Sequence, residues 1–368
     1  MIRLSKSTIG NSEKQAVLEV LGHEYLGMGK EVDNFERMLA DYLGRQVVCV
    51  NSGTAALHLA FQAIGLHPGD EVLVQSLTFI ATYQAISATG ASPVSCEVDP
   101  KTITLDLNDA EKRLTDKTKA VVPVHYASGV GDLNEIYAFA EANGLRVIED
   151  AAHAFGTHYQ GKVVGSFGDI VCFSFDGIKN ITSGEGGAIV TEDQNILKIV
   201  KDARLLGVEK DTEKRYKGER SWHFDAKIQG WRYHMSNLMA AIGCEQLKRL
   251  PETIKKRDFI KTMYLDLFQK IQGVEPLLLD YKNIVPHIFV VRVTDGKRDG
   301  LRRFLLENDI ECGVHYFPNH MLTKYKSSFS LSVTEQVYGE LLSLPFHLDL
   351  TQADLEYIVA KIKEFFDA

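Results

Sequence analysis

The sequence has few cysteines, no long run of apolar residues and no internal repeat. Its five cysteines are an odd number at wide spacing, so they form neither a zinc-binding pattern nor a disulfide framework. We therefore expect a reducing, cytoplasmic location. No stretch of eighteen apolar residues could span a bilayer, and the opening MIRLSKSTIG lacks the apolar core of a signal peptide. These absences predict a protein without a membrane partner.

An excess of positive charge is also missing. The chain has 41 lysines and arginines against 49 aspartates and glutamates, for a formal net charge of −8. This balance argues against a general nucleic-acid or membrane-surface binder. Hydrophobic residues make up 45% and charged residues 24% of the 368 residues, which is typical of a globular protein. A chain of this length is expected to form two domains.

Short apolar runs alternate with helical patterns through the first two-thirds of the chain. The runs are apolar throughout rather than alternating, which predicts strands buried on both faces. They are QVVCV (46–50), DEVLVQS (70–76), KAVVPVHY (119–126), LRVIED (145–150) and DIVCFSF (169–175). Between two of them, GDLNEIYAFAEANG offers Asp132 as a helix cap with Glu135 three residues later. The pattern predicts an α/β fold with a mainly parallel central sheet flanked by helices.

From about residue 246 the pattern changes. A long helical stretch is interrupted at Pro251, a strand-like HIFVVRV follows, and a last helix is predicted after Thr351, where apolar residues recur at helical spacing. We expect residues 1–245 to form a large α/β domain and residues 246–368 to form a smaller α+β domain.

Four sequence elements near strand ends are candidates for a functional site, because ligands of open α/β sheets bind outside the carboxyl ends of the strands. The segment 52–54 (Ser-Gly-Thr) opens a helix and could cradle a phosphate, although serine and threonine are also ordinary helix caps. Asp150 is either a helix cap or a charge aimed into a site. Ser174 is either a phosphate ligand or a routine buried serine. Lys179 follows a buried strand and precedes the glycine-rich TSGEGG.

Lys179 could be a solvated loop lysine or a lysine held in a site to react with a carbonyl group. A phosphate cradle, a carboxylate, an aromatic ring and a lysine are together what pyridoxal 5′-phosphate requires. Lysine binds the aldehyde of that cofactor, and an aspartate keeps its pyridine nitrogen protonated so that the ring can accept electrons. The combination therefore favours this cofactor over any metal.

Several longer motifs carry a resemblance to a known family. They are NSGTAALHLA, SLTFIATYQAI, VIEDAAHAFG, SFDGIKNITSGEGGAIVT, MSNLMAAIGCEQL and GVHYFPNH. Their order and spacing over nearly the whole chain resemble the DegT/DnrJ/EryC1/StrS family of sugar aminotransferases. The resemblance implies the fold of type I pyridoxal-phosphate enzymes, that of aspartate aminotransferase.

The same resemblance implies roles for individual residues. Lys179 would form the covalent link to the cofactor and Asp150 would pair with its pyridine nitrogen. Phe79 would stack on the cofactor ring, and His153 would lie near the ring hydroxyl. The implied phosphate ligands are Gly53, Thr54 and Ser174.

The resemblance is imperfect at two positions. Many members read GYNYRMS where this chain reads GWRYHMS, and there the asparagine reaches the phosphate of the neighbouring subunit's cofactor. Arg232 occupies that position here, and its guanidinium could make the same contact with a full charge or pair with an acid on its own surface. Asp176 stands where a histidine is frequent, so contacts near the lysine are expected to differ. His320 matches a histidine near the substrate, or it is a solvated histidine.

Retention of Lys179 favours transamination, because members that dehydrate sugars have a histidine there. The expected reaction converts a nucleotide-linked keto-deoxysugar to an amino sugar for a surface polysaccharide or glycoconjugate. Glutamate is the expected amino donor, and a homodimer with shared active sites is implied. The alternatives are a fold type I lyase, such as an aldolase or desulfurase, and a non-catalytic sensor that holds the cofactor. Sugar choice is expected to depend on the loops at 23–32 and 209–224.

Overall fold

The computed structural model describes residues 1–208, 225–269 and 271–367. The expected specificity loop at 209–224 lies outside the described residues. The other expected loop, at 23–32, is shorter than expected, because a helix begins at Lys30 within it. In the described ranges no helix combines the length and the apolar character that a membrane span requires.

A seven-stranded sheet forms the centre of the molecule, with strand order β1-β9-β8-β5-β4-β2-β3. Its strands are β1 (Val47–Val50), β2 (Glu71–Gln75), β3 (Ser92–Cys96), β4 (Thr118–Val122), β5 (Arg146–Asp150), β8 (Ile170–Ser174) and β9 (Gly187–Val190). The pairs β2–β3, β2–β4, β4–β5 and β5–β8 are parallel, whereas β9 runs antiparallel to both of its neighbours. The mainly parallel α/β fold predicted from the apolar runs is therefore confirmed.

Helices cover both faces of this sheet. They are α1 (Asn11–Gly22), α2 (Lys30–Leu43), α3 (Gly53–Ala63), α4 (Ile80–Ala88), α5 (Leu107–Lys112), α6 (Leu133–Ala142), α7 (Gln194–Ala203) and α8 (Asn237–Lys248). Along β1, Val47 and Cys49 pack into the apolar core on one face of the sheet, and Val48 and Val50 pack into the core on the other. Both faces are buried, and this explains why the strand sequence is apolar without alternation.

The predicted start of α6 is confirmed. The Asp132 side chain accepts a hydrogen bond from the Glu135 backbone N–H at 3.1 Å and so caps the helix. A short antiparallel pair, β6 (His158–Tyr159) and β7 (Lys162–Val163), follows β5 in the chain.

A second, antiparallel sheet lies in the C-terminal part of the chain, in the order β10 (Val274–Pro276), β11 (Phe289–Val293) and β12 (Leu341–Leu344). The helices here are α9 (Leu250–Phe268), α10 (Arg298–Glu307), α11 (Ser332–Tyr338) and α12 (Gln352–Asp367). Pro251 stands in the first turn of α9, where its missing N–H costs no helical hydrogen bond. The first residues also pair here, through a bridge between Ile2 and Ile310. A domain boundary at residue 245 stays a prediction.

Candidate active site

A cavity of about 470 Å³ opens at the carboxyl edge of the central sheet, where β1, β5 and β8 end. Parallel strands place their carboxyl ends at one edge, so residues distant in the sequence meet there. Seven of the nine predicted site residues line the cavity. They are Gly53, Thr54, Phe79, Asp150, His153, Ser174 and Lys179.

The first turn of α3 forms one wall of the cavity. Ser52 caps this helix, with its side chain accepting a hydrogen bond from the Ala55 N–H at 3.1 Å. A Cβ atom added to Gly53 would lie 2.8 Å from the Ser174 Cβ and 3.1 Å from its Oγ. Glycine is therefore required for the start of α3 to approach the end of β8. The arrangement presents N–H groups and hydroxyls together, which is the chemistry of a phosphate cradle.

Asp150, at the end of β5, is buried and held at both carboxylate oxygens. Its Oδ2 accepts a hydrogen bond from Thr82 Oγ1 at 2.7 Å, and its Oδ1 accepts one from the Ala152 N–H at 3.2 Å. Thr82 lies on α4, which begins immediately after Phe79. The two contacts fix the plane of a carboxylate that borders the cavity.

The Lys179 amine lies close to a histidine of the C-terminal part, and both residues line the cavity. Its Nζ is 3.3 Å from His287 Nε2. Burial lowers the pKa of Lys179 from its ordinary 10.5 to about 8, against the opposing attraction of Asp176 and Asp150. An amine with this pKa exists in both charged and neutral forms near neutral pH, as a group that both gives and takes protons requires.

Three histidines surround the cavity beside Lys179. They are His153, His287 and His315, and burial followed by the charge of Lys179 lowers the pKa of each. The pKa of His315 falls to about 4. The three imidazoles are therefore neutral at neutral pH. Among the lining residues that the structure describes, the wall next to the amine is polar but carries no additional positive charge.

Tyr316 links the predicted residues to the C-terminal part. Its hydroxyl is 3.0 Å from His153 Nε2, and its ring centroid is 5.4 Å from that of Phe79. Phe79 lines the cavity and is 53% exposed, so part of the side chain is accessible. No role was predicted from the sequence for Tyr316, His315 or His287. The signal for the first two was the HY pair inside the motif GVHYFPNH, from which only the final histidine was chosen.

Arg232 is not among the residues that line the cavity. It is exposed, and its backbone carbonyl accepts a hydrogen bond from Asn51 Nδ2 at 3.2 Å, next to the capping residue Ser52. Among residues 1–208, 225–269 and 271–367, no carboxylate forms an ion pair with it. The expected alternative of a pairing with an acid on its own surface thus has no support in the described part of the chain.

His320 also lies away from the cavity lining. It is buried, with Nδ1 2.6 Å from Ser76 Oγ and Nε2 3.2 Å from Glu335 Oε1. The neighbouring Asn319 side chain donates to the backbone carbonyls of Ser76 and Thr78. The expectation of a solvated histidine is wrong. His320 fastens the C-terminal segment to the loop before Phe79, and its contact with substrate stays a prediction.

The cavity fits pyridoxal phosphate by two observations. Its volume lies within the range of small-molecule sites. It combines an amine, a fixed carboxylate and a hydroxyl-rich helix start, which are the groups that the cofactor requires.

Comparison with known proteins gives one consistent result. The model of the DegT/DnrJ/EryC1/StrS aminotransferase family matches residues 7–363. The spore coat polysaccharide biosynthesis protein SpsC of Bacillus subtilis is 36% identical, with 97% of this chain and 95% of that protein covered. The dTDP-4-dehydro-2,3,6-trideoxy-D-glucose 4-aminotransferase of Saccharopolyspora spinosa is 33% identical, with 99% and 96% covered.

The fold agrees with solved structures. A candidate sugar aminotransferase of Streptococcus pneumoniae, Spr1654, solved in its PMP form, superposes with a TM-score of 0.94 at 28% identity, over 100% of this chain and 99% of that one. The expectations of a type I fold and of pyridoxal phosphate as cofactor are confirmed by these similarities.

Proposed function

Since the chain belongs to the DegT/DnrJ/EryC1/StrS aminotransferase family, we propose that this sugar aminotransferase acts on a nucleotide-linked keto-deoxysugar and takes its amino group from glutamate. The product is an amino sugar for a surface polysaccharide or glycoconjugate. One observation carries the proposal: a single cavity unites the amine of Lys179 with the fixed carboxylate of Asp150. The relatives are named as aminotransferases, which supports transamination over the lyase and sensor alternatives.

Pyridoxal phosphate, when bound, supplies an aldehyde that attaches to amines and a ring that accepts an electron pair from the reacting carbon. Asp150 would hold a proton on the pyridine nitrogen, with its orientation set by Thr82. Phe79 would cover the ring face, and His153 would lie by the ring hydroxyl. The remaining predicted ligands, Gly53, Thr54 and Ser174, would bind the phosphate.

Lys179 moves the protons of the reaction. In the first half, its neutral Nζ would take a proton from the α-carbon of the amino donor and then pass it to the cofactor. In the second half, the same amine would take that proton back and pass it to the sugar carbon that gains the amino group. In the protein without cofactor, burial lowers the pKa of Lys179 to about 8, so the amine is able both to release and to take up a proton near neutral pH. The neutral histidines around it exclude bulk water without repelling the ammonium form.

We further propose that the protein is a homodimer in which Arg232 reaches the cofactor phosphate of the partner subunit. Its exposure, its position beside the α3 start and the absence of an acidic partner in the described part of the chain support this assignment. A guanidinium is suited to phosphate because it forms paired, charge-assisted hydrogen bonds.

The function is tested by mixing the purified protein with pyridoxal phosphate, glutamate and a panel of nucleotide-linked keto sugars. The dTDP-linked 4-keto sugars come first, because one relative is named for such a substrate. We expect loss of the aldehyde absorption with glutamate alone, amino-sugar formation with one class of sugar, and ping-pong kinetics. Lys179→Ala is the control and should lose turnover by several orders of magnitude. Product formation by elimination without an acceptor sugar would support the lyase alternative instead.

A further inference from the structure

The backbone of His287 is fixed in the cavity wall by two hydrogen bonds. Its N–H donates to Ser128 Oγ at 3.0 Å, and its carbonyl accepts from Arg257 Nη1 at 3.3 Å. Ser128 and Arg257 are themselves buried. His287 is only 3% exposed and precedes β11, so its ring has little freedom to move.

The ring of His287 makes a single polar contact among the described residues. Nε2 is 3.3 Å from Lys179 Nζ, while Nδ1 has no hydrogen-bond partner. The ring also lies against that of His153, with the centroids 4.5 Å apart. The contact with Lys179 is therefore the one that orients the His287 ring among the described residues, and the same contact holds the Lys179 amine.

We propose that His287 is a positioning residue for Lys179, holding the amine at the cavity through a hydrogen bond that can run in either direction. This inference rests on the proposed role of Lys179 in moving protons. A neutral imidazole has one N–H and one bare nitrogen. With the proton on Nδ1, Nε2 accepts from the ammonium form; with the proton on Nε2, it donates to the lone pair of the neutral amine. One residue thus holds both protonation states of Lys179.

A carboxylate at this position would act differently. It would accept only, and its charge would favour the ammonium form. Burial of His287 and the positive charge of Lys179 lower its pKa well below the ordinary value, so the imidazole stays neutral while Lys179 titrates. Among the described residues, the other charged or titratable groups around the pair are Asp150, Asp176, Glu185, His153, His315, Arg257, Tyr126 and Tyr316. Asp176 and Asp150 already favour the ammonium form, and a further carboxylate in contact with the amine would leave little neutral amine.

The test measures the protonation of Lys179 in the cofactor-free protein. Trace acetylation with acetic anhydride at graded pH, read by mass spectrometry at Lys179, gives the inflection of its amine. We expect an inflection near pH 8 for the parent. His287→Glu should move it upward by about one unit or more, and His287→Gln should leave it close to the parent value, because an amide also donates and accepts.

The rate of the half-reaction with glutamate, measured in the cofactor-loaded protein, distinguishes loss of the His287 hydrogen bond from a general packing defect. His287→Leu removes the hydrogen bond and should slow the half-reaction with glutamate by about ten- to a hundredfold, as for one hydrogen bond to a charged group. His287→Gln should recover a substantial part of this loss. His315→Gln is the matched control and should leave the acetylation inflection of Lys179 in place. The Nδ1 atom of His315 lies 2.7 Å from Ser343 Oγ and is not bonded to Lys179.

The proposal is overturned if His287→Glu leaves the inflection in place, or if His287→Gln is as slow as His287→Leu. Should the glutamate variant fail to fold, the comparison of Gln with Leu decides. The acetylation result does not depend on any sugar. If the inflection shifts as expected but no keto sugar is aminated, the role of His287 stands and the proposed substrate class fails.

Discussion

Thr82 donates a hydrogen bond to Asp150 across 2.7 Å, from α4 to the end of β5, and both side chains are buried. The contact joins two segments of the site that are 68 residues apart in the sequence. It uses one carboxylate oxygen, while the other is held by the Ala152 N–H. The direction in which Asp150 faces is therefore set by the protein before any ligand binds.

The first prediction concerns this contact. Thr82→Val keeps the shape of the side chain but removes the hydroxyl, so Asp150 loses a hydrogen bond worth about 1.5–3 kcal/mol. We expect weaker retention of pyridoxal phosphate, by up to about a hundredfold, and a slower half-reaction with glutamate. Thr82→Ser retains the hydroxyl and is the matched control. Equal cofactor affinity of the Val and Ser variants, measured by absorbance titration, would show that Thr82 has no influence on the site.

The second prediction concerns the close approach of α3 and β8. Gly53→Ala places a methyl group 2.8 Å from the Ser174 Cβ, a distance that real Cβ contacts do not show. One of the two backbone segments must shift, and we expect loss of cofactor binding together with a lower Tm.

The control for this prediction is a second substitution that removes the obstruction. Ser174→Gly deletes the Cβ and leaves the Cα, at 3.3 Å, as the nearest Ser174 atom to the new methyl. The Gly53→Ala/Ser174→Gly double variant should recover Tm relative to Gly53→Ala alone. If the double variant is as unstable as the sum of the single variants, the two sites do not interact and the steric explanation is wrong.

The third prediction is a pH dependence of stability in the cofactor-free protein. Between about pH 8 and 10.5 the unfolded chain keeps a proton on Lys179 that the folded chain has released, so the free energy of unfolding should rise with pH in this window. The cost of the buried ammonium is fully present below pH 8 and vanishes above 10.5. At 1.36 kcal/mol per pKa unit, the shift from 10.5 to about 8 corresponds to about 3–4 kcal/mol as an upper limit.

Lys179→Met isolates this contribution, because every other titrating group is common to both proteins. The measurement is the free energy of unfolding of each protein, from urea titrations at several pH values. Between about pH 8 and 10.5, the value for the parent minus the value for the variant should increase. A difference that is flat from pH 7 to 10.5 would mean that Lys179 titrates normally in the folded state.

Much of the fold was predictable because buried parallel strands have a distinct sequence. The runs at β1, β2, β4, β5 and β8 are apolar on both faces, and each was identified. The sequence of β3, SPVSC, contains a proline and two serines at the edge of the sheet, and β9 is only four residues long after a glycine-rich segment. Neither has a pattern that distinguishes it from a loop.

The site was predictable only where its residues follow strand ends. Asp150, Ser174 and Lys179 stand next to β5 and β8, so local pattern was enough to select them. His287 and Tyr316 reach the cavity because the C-terminal part folds back onto the sheet edge, and no local periodicity encodes that approach. His320 was chosen from a motif rather than from a strand end, and the structure holds it between Ser76 and Glu335, outside the cavity lining. Its contact with substrate stays a prediction.

The last prediction tests the proposed dimer. If Arg232 reaches the partner's cofactor phosphate, each subunit completes the other's site through an isologous contact. Arg232→Ala should then remain folded but lose about ten- to a hundredfold in cofactor affinity, the effect of one charge-assisted hydrogen bond. The measurement is cofactor release on dilution, followed by absorbance.

Mixing two chains with different defects distinguishes a contact across the interface from one within a subunit. A dimer of Arg232→Ala with Lys179→Ala has one site with both defects and one with neither, provided that the arginine acts across the interface. Activity at limiting cofactor should therefore rise above that of either parent after subunit exchange. If exchange is confirmed by differential tagging and activity does not rise, each site is built with the arginine of its own chain, because both sites of the mixed dimer then carry one defect.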